Sequence, residues 1–219
     1  MNKILRLTFV ALLAMVSNMG FAADKAVTID IFHDGVKLFG LKGTSTNSLS
    51  DGDFTEAKTA TVDGVSLTVS ASTSNTPNRL WDYYEMENGE KVYGGQLRFY
   101  GGTLKFESKD KKIKKIVFVQ PENTKQQKWY DMTVDNGTIA KQTYTNDEGT
   151  NDVTFTLTAG KGIQCRINSV VVTVDDPTAG ISSVEKSQKP SVRYNLAGQK
   201  VGADYKGVVI ENGKKVVVK

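Results

Sequence analysis

Histidine and cysteine are almost absent from this chain, whose 219 residues contain one of each. A single cysteine, Cys165, excludes an intramolecular disulfide, and one histidine and one cysteine cannot form a zinc-type cluster. The motifs G-x-S-x-G and H-E-x-x-H are also missing. His33 is the only histidine available to a catalytic triad or to Cys165, and its neighbours in "DIFHDG" indicate a strand that enters a turn. We therefore predict a protein without enzyme activity and without a cofactor.

Acidic residues are numerous but form no recognisable catalytic or metal-binding motif. Any two of the 24 carboxylates could make the pair that a glycosidase needs, so the sequence singles out none. The segment "NDEGTND", Asn146–Asp152, has oxygen ligands suited to calcium but lacks the EF-hand pattern. We predict no metal site, with a structural calcium ion at this segment as the alternative to a solvated acidic turn.

Long apolar runs are missing beyond the N-terminus. There, Lys3 and Arg6 precede the apolar stretch Leu7–Val16, and small residues precede a cut before Ala23. This pattern predicts a signal peptide over residues 1–22, with a retained N-terminal anchor as the alternative. The apolar stretch is shorter than the roughly 20 residues that a membrane-spanning helix needs. We expect a protein in the periplasm, on the outer cell surface or outside the cell, with no membrane span after cleavage.

Charge of one sign is not concentrated anywhere in the chain. The formal net charge is +4, and residues 1–22 carry two of these positive charges and no acid. So small a net positive charge predicts no nucleic-acid partner.

Alternating apolar and polar residues dominate the chain from Val27 to Val174. "VSLTVSA" and "VTFTLT" place every second side chain on one apolar face, while "IKKIVFV" is apolar on both faces and indicates a central strand covered on both sides. We find no helical periodicity. Many short strands separated by Gly, Asn, Asp and Thr predict a β-sandwich of jelly-roll type over residues 23–174.

The stretch "LRFYGGTLKF" predicts a hairpin that turns at its Gly-Gly pair. In that register Arg98 lies opposite Lys105, although like charges in this position are unfavourable. Three explanations remain open. A carboxylate from a neighbouring strand lies between them, or the two long side chains point apart and interact weakly, or the face binds an anionic partner such as an acidic glycan.

Aromatic residues give the best indication of function. "NRLWDYYEMENGEKVYGG" combines arginine, tryptophan and three tyrosines, and the next stretch adds Arg98 and Tyr100. Exposed rings stack on the apolar faces of sugars, while arginine binds their hydroxyl groups. We predict Arg79, Trp81, Arg98 and Tyr100 as ligand-binding residues. The alternative is that Trp81 and some tyrosines cover the edge of the sandwich.

The C-terminal part of the chain differs from the sandwich. Residues 175–191 are polar and contain two of the four prolines, which predicts a linker. In residues 192–219, "GVVIENGKKVVVK" predicts a hairpin that turns at Asn212-Gly213 and places Glu211 opposite Lys214. About 28 residues cannot bury much apolar area alone.

This C-terminal region resembles the sorting domain of the type IX secretion system, which many secreted Bacteroidetes proteins carry. "AGISSVE", "YNLAGQKV" and "KGVVIENGKKVVVK" carry the resemblance, and the matching residues are Tyr194, Asn195, Leu196, Gly198, Gln199, Gly207, Ile210, Gly213, Lys214, Lys215 and Lys219. The region is shorter than the full sorting domain. The resemblance implies export to the outer surface.

Residues 54–174 resemble β-sandwich accessory domains of secreted Bacteroidetes surface proteins and hydrolases. "TPNRLW", "YGGQLRFYGGTLKF", "IKKIVFV" and "NDVTFTLTA" carry this resemblance. It implies a module that binds without catalysing, often a glycan-binding one. We therefore predict a carbohydrate-binding surface protein, with a structural or protein-interaction module of the cell envelope as the alternative.

Overall fold

The computed structural model describes residues 24–175, 193–202, 204–211 and 214–218. The chain divides into two compact units, residues 1–180 and 181–219. The predicted signal peptide lies outside the described residues, and so does the predicted linker apart from Asp175. The backbone N–H of Asp175 donates to Lys112 O at 2.9 Å.

Among its described residues, the first unit contains one α-helix, α1 (Ile31–Leu38), one short 3-10 helix (Thr124–Gln126) and thirteen strands. The strands are β1 (Lys25–Asp30), β2 (Lys58–Val62), β3 (Val65–Val69), β4 (Arg79–Glu87), β5 (Glu90–Phe99), β6 (Gly102–Ser108), β7 (Ile113–Val119), β8 (Thr133–Val134), β9 (Thr138–Ala140), β10 (Thr143–Thr150), β11 (Asp152–Leu157), β12 (Cys165–Ile167) and β13 (Ser169–Val174).

These strands form antiparallel sheets, which confirms the predicted all-β sandwich. One five-stranded sheet has the order β1-β13-β7-β10-β9, and another has the order β2-β3-β6-β11-β8. A third, three-stranded sheet has the order β12-β5-β4. Strands that follow one another along the chain repeatedly change sheet, as in a jelly roll.

The core contains the apolar faces predicted from the alternation. Val65, Leu67 and Val69 are buried, as are Val153, Phe155 and Leu157. Ala71 was expected to face inward too, but β3 ends at Val69 and Ala71 is exposed. At the centre, the rings of Phe106, Phe118 and Phe155 meet edge to face at centroid distances of 5.1–5.8 Å.

Strand β7 is central in its sheet, as predicted, but it is not covered on both sides. Ile113, Ile116 and Phe118 are buried, whereas Val119 is 38% exposed. Apolar residues on both faces therefore do not mark a strand packed on both sides here.

The predicted hairpin at "LRFYGGTLKF" is wrong, because β5 and β6 belong to different sheets. Strand β5 pairs with β4 and β12, and β6 pairs with β3 and β11. Arg98 therefore does not face Lys105, whose partners in the register are Thr68 and Thr154. Alternation predicted the buried faces correctly, but a chain that crosses between sheets shows the same alternation as a hairpin.

The buried side chain of Asn78 holds this crossing in place. Its Oδ1 accepts from Tyr100 N at 2.7 Å, and its Nδ2 donates to Gly101 O at 2.9 Å and to Ser70 O at 3.0 Å. Gly102 follows with a φ of +103°, where a Cβ would lie 2.3 Å from Ser70 Oγ. The amide thus replaces the backbone partners that the chain gives up where it leaves one sheet for the other.

The helix α1 corrects the expectation that the chain has no helix and that His33 ends a strand. Asp30 is the N-cap, and its carboxylate accepts from the backbone N–H of His33 at 3.0 Å. Ile31, Phe32 and Gly35 are buried. Eight residues are too few to display a helical period clearly, and the apolar alternation of β1 runs directly into them.

His33 connects the first turn of α1 to the end of β4. Its Nδ1 lies 2.8 Å from Asp30 Oδ2, and its Nε2 lies 2.7 Å from Glu87 Oε1. Burial lowers the pKa of His33, but the hydrogen bonds to Asp30 and Glu87 and the charges of these carboxylates raise it above its ordinary value of 6.5. Only the protonated ring donates from both nitrogens, so the folded state favours imidazolium.

The C-terminal unit is a four-stranded antiparallel sheet with the order β15-β14-β16-β17. Its strands are β14 (Arg193–Asn195), β15 (Lys200–Val201), β16 (Gly207–Glu211) and β17 (Lys214–Val218). The predicted hairpin is present in the predicted register, with Glu211 paired to Lys214, although Asn212 and Gly213 themselves lie outside the described residues.

The motif "YNLAGQ" forms the turn between β14 and β15. Asn195 Oδ1 accepts from Ala197 N at 3.0 Å and from Gln199 N at 2.9 Å. Gly198 takes a φ of +77°, which other residues adopt at a cost. The short hairpin predicted from the sequence is therefore part of a larger sheet.

Gly94→Ala should destabilise the first unit, because its Cβ would lie 2.3 Å from the carbonyl oxygen of Phe32 in α1. Such overpacking costs about 1–3 kcal/mol of unfolding free energy, which urea unfolding measures. Gly43→Ala is the matched control, since its nearest neighbour is Asp51 Cβ at 3.4 Å, an ordinary contact. Equal losses in the two variants would contradict the packing of α1 on β5.

The contribution of His33 to stability should depend on pH. Because its pKa is higher in the folded state, the stabilisation is complete below pH 6.5, its ordinary pKa, and is lost as the pH rises through the folded-state pKa. Urea unfolding between about pH 5.5 and about pH 8.5 should show a loss of stability that His33→Gln does not show. The same pH dependence in both proteins would contradict this assignment.

Candidate functional site

The outer face of the sheet β4-β5-β12 brings together the four residues predicted from the sequence. Side chains alternate along each strand, so Arg79 and Trp81 of β4 lie beside Arg98 of β5, and Tyr100 follows β5 directly. All four are partly buried. With Arg166 of β12 they form what we call the arginine–aromatic face.

Three arginines lie in one row across this face. The register pairs Arg79 with Arg98 and Arg98 with Arg166 on three adjacent strands. Arg166 was not predicted as a site residue. The alternation in "GIQCRI" points it outward, since Cys165 and Ile167 are buried, but its position beside Arg98 depends on a strand pairing that spans some seventy residues of sequence.

Trp81 lies against two of these arginines. The Cζ atom of Arg98 is 4.2 Å from the centroid of the indole ring, and that of Arg79 is 5.8 Å away. Both distances fall within the range of cation–π attraction. The indole therefore holds two guanidinium groups on the same side of the sheet.

Within the described part of the chain, Arg79 is the one arginine of this row that has a carboxylate partner. Its Nε lies 3.3 Å from Asp53 Oδ1, and Ser45 Oγ donates to the same oxygen at 2.6 Å. This ion pair connects β4 to the segment 41–54, where Ser45 N also donates to Leu80 O at 2.7 Å. The pair thus fixes the segment along the free edge of β4.

Arg98 and Arg166 have neutral partners instead. Arg98 Nε donates to Gln96 Oε1 at 3.4 Å, and Arg166 donates to Gln164 Oε1 at 3.1 Å and to Gln126 O at 3.0 Å. In the part of the chain that the structure describes, no carboxylate forms an ion pair with either guanidinium group.

Burial and mutual repulsion both act on these arginines. Burial lowers the pKa of Arg98, the charges of Arg166 and Arg79 lower it further, and Tyr100 raises it in part. Burial also lowers the pKa of Arg166, against the opposing effects of Tyr100 and Tyr83. Both stay protonated at neutral pH, so the face carries cationic charge that the protein itself does not fully neutralise.

A groove of about 550 Å³ begins at Tyr100, next to the arginine row. Lys128, Lys161 and Gln164 line it together with a polar segment at residues 73–76. No aspartate or glutamate occurs among the described residues of its lining. The face and the groove therefore combine an aromatic ring, hydrogen-bonding groups and positive charge.

The residues considered for catalysis do not meet. Both ring nitrogens of His33 bond to carboxylates, whereas Cys165 Sγ lies 3.3 Å from Tyr130 O in the core. Burial raises the pKa of Cys165 to about 11, which keeps the thiol protonated and unreactive at neutral pH.

The segment Asn146–Asp152 lies at the junction of β10 and β11. Asn146 Oδ1 accepts from Gly149 N at 3.1 Å, and Asp152 pairs with Glu107 across the sheet. Among the described residues, no group of three or more His, Cys, Asp or Glu side chains is placed to hold a metal ion.

No family model, curated protein or solved structure matches this chain. Within the described residues, no helix has the length and apolar character to cross a membrane.

Substitutions in the arginine row should destabilise the fold to different extents. Arg79→Met leaves the carboxylate of Asp53, which is 10% exposed, without its cation, and should lower the unfolding free energy by about 1–3 kcal/mol. Arg98→Met removes the cation–π contact with Trp81 and a hydrogen bond to the buried Gln96, but it also removes repulsion between like charges. We expect these opposing effects to offset one another in part, so that Arg98→Met lowers stability less than Arg79→Met does. Chemical denaturation of both variants measures the difference, and a larger loss for Arg98→Met would contradict this account.

Proposed function

We propose that this protein is a secreted, non-catalytic carbohydrate-binding protein of the cell surface. The observation that carries the proposal is the arginine–aromatic face with the groove that begins at Tyr100. Partly exposed rings beside hydrogen-bonding side chains suit the alternating apolar and hydroxyl-bearing surfaces of sugars. A rigid sheet positions these side chains better than loops would.

The proposed location depends on the two ends of the chain. An N-terminal signal peptide would direct the chain into the export pathway, and a C-terminal region that resembles a type IX sorting domain would deliver it to the outer surface. The resembling residues include the turn "YNLAGQ", in which Asn195 bonds to two backbone N–H groups. A sorting signal needs such a defined local shape if export machinery is to recognise it.

A structural or protein-interaction role is the second candidate, and a separate surface favours it. Tyr84 and Tyr93 form a cross-strand pair with ring centroids 5.8 Å apart near the end of the β4–β5 hairpin. They are 36% and 64% exposed, and Met86 beside them is 51% exposed. Adjacent exposed apolar side chains are typical of protein contacts.

A glycan array can distinguish the two candidates. Trp81→Ala with Tyr100→Ala should abolish glycan binding, because stacking surface is lost on the arginine–aromatic face. Tyr84→Ala with Tyr93→Ala is the matched control, which removes two exposed aromatic rings from another surface and should bind as the wild type does. Thermal melts should first show that all three proteins are folded.

Failure of the folded wild type to bind any glycan would overturn the carbohydrate proposal. Loss of glycan binding in the Tyr84 and Tyr93 variant alone would move the site to the hairpin. Association with a cell-envelope protein that depends on Tyr84 and Tyr93, in the absence of glycan binding, would support the second candidate.

A further inference from the structure

We propose that the arginine–aromatic face recognises an anionic sugar, through a carboxylate or sulfate group bound between Arg98 and Arg166. This inference rests on the proposed carbohydrate binding and specifies its ligand class. It starts from the charges of the face, whereas the proposed function starts from its aromatic ring and groove.

Positive charge in the arginine row is not balanced by carboxylates of the described residues. Three guanidinium groups occupy adjacent positions on β4, β5 and β12, and the one described carboxylate that pairs with the row, Asp53, bonds to Arg79 at its end. Like charges in directly opposed positions are unfavourable. An anion placed between Arg98 and Arg166 would remove this repulsion.

The arginine row is already partly desolvated in the folded protein. Burial is the largest of the causes that lower the pKa of Arg98 and Arg166. A charge-assisted hydrogen bond is stronger where water is partly excluded. The free-energy cost of removing water from these guanidinium groups is part of the cost of folding. A ligand anion therefore binds cations that are already poorly solvated and held in position.

Neighbouring groups hold the side chains of Arg98 and Arg166 in place. Trp81 lies against Arg98 at 4.2 Å, and Arg166 bonds to Gln164 and to the backbone of Gln126. A planar guanidinium group in a fixed position matches the two oxygens of a carboxylate or sulfate. Arginines that serve only for solubility are not constrained in this way.

The groove next to the arginine row is also positively charged. Lys128 and Lys161 line it, and the described residues of its lining include no acid. A chain of anionic sugars that crosses the arginine row would therefore meet more positive charge at its next residues. An acidic polysaccharide fits this arrangement better than an isolated acidic sugar does.

Polygalacturonate and its methyl ester test the inference, because the two polymers share a backbone and differ in charge. Binding is measured by titration calorimetry with the full protein at two salt concentrations. We expect binding to polygalacturonate that weakens with salt and little binding to the ester. Arg98→Met and Arg166→Met should each weaken binding to the acid about ten- to a hundred-fold.

Lys105→Met is the matched control. It also removes one positive charge, but Lys105 belongs to β6 in another sheet and bonds to Glu107 at 2.8 Å. Its affinity for polygalacturonate should equal that of the wild type. An equal loss for Lys105→Met and Arg98→Met would overturn the site, since net charge alone would then explain binding.

Dextran sulfate and neutral dextran distinguish the two sources of the anion. Binding of the sulfated polymer alone, with the same dependence on Arg98 and Arg166, would support the inference and assign sulfate as the group recognised.

Equal binding of polygalacturonate and its ester, lost in Trp81→Ala, would overturn the anionic ligand while the proposed carbohydrate binding stands. Absence of binding to these polymers, when the glycan array finds neutral ligands, would overturn the inference alone. Absence of every interaction would overturn both proposals.

Discussion

The contact among Phe106, Phe118 and Phe155 connects the two large sheets, and the rest of the first unit is arranged around it. Phe106 and Phe155 come from neighbouring strands of one sheet, and Phe118 comes from the central strand of the other. Edge-to-face packing of three rings at the centre requires inward side chains at alternate positions on every strand that contributes to the core. Each of these strands then has an outer face that is free to carry other chemistry.

The arginine–aromatic face lies on one of these outer faces. Leu97 and Phe99 are fully buried, which places Arg98 on the opposite side of β5. In the same way, Leu80 points inward between Arg79 and Trp81. The core therefore determines where the candidate site lies, although no site residue is part of the core.

The alternation of apolar and polar residues predicted the sandwich, most of its core and the outward direction of Arg98, because the burial of every second side chain is visible in the local sequence. In the first unit it did not predict strand partners, because pairing there depends on residues far apart. The Gly-Gly pair after Tyr100 has the local signature of a hairpin, and only the buried amide of Asn78, some twenty residues earlier, shows that the chain changes sheet. Arg166 was missed for the same reason. The helix α1 was missed because it spans only two turns.

The pairing of β1 with β13 joins the first described strand of this unit to its last. Lys25 lies opposite Val174, and the register continues to Asp30 opposite Ser169. Contacts so distant in sequence are slow to form, because closing a long loop lowers the entropy of the chain before any contact can offset that loss. The sheet that contains the central strand β7 also cannot be completed until residue 174 has left the ribosome. Until then the earlier strands lack the partner that closes the domain, so this unit reaches its folded state only late in its own synthesis.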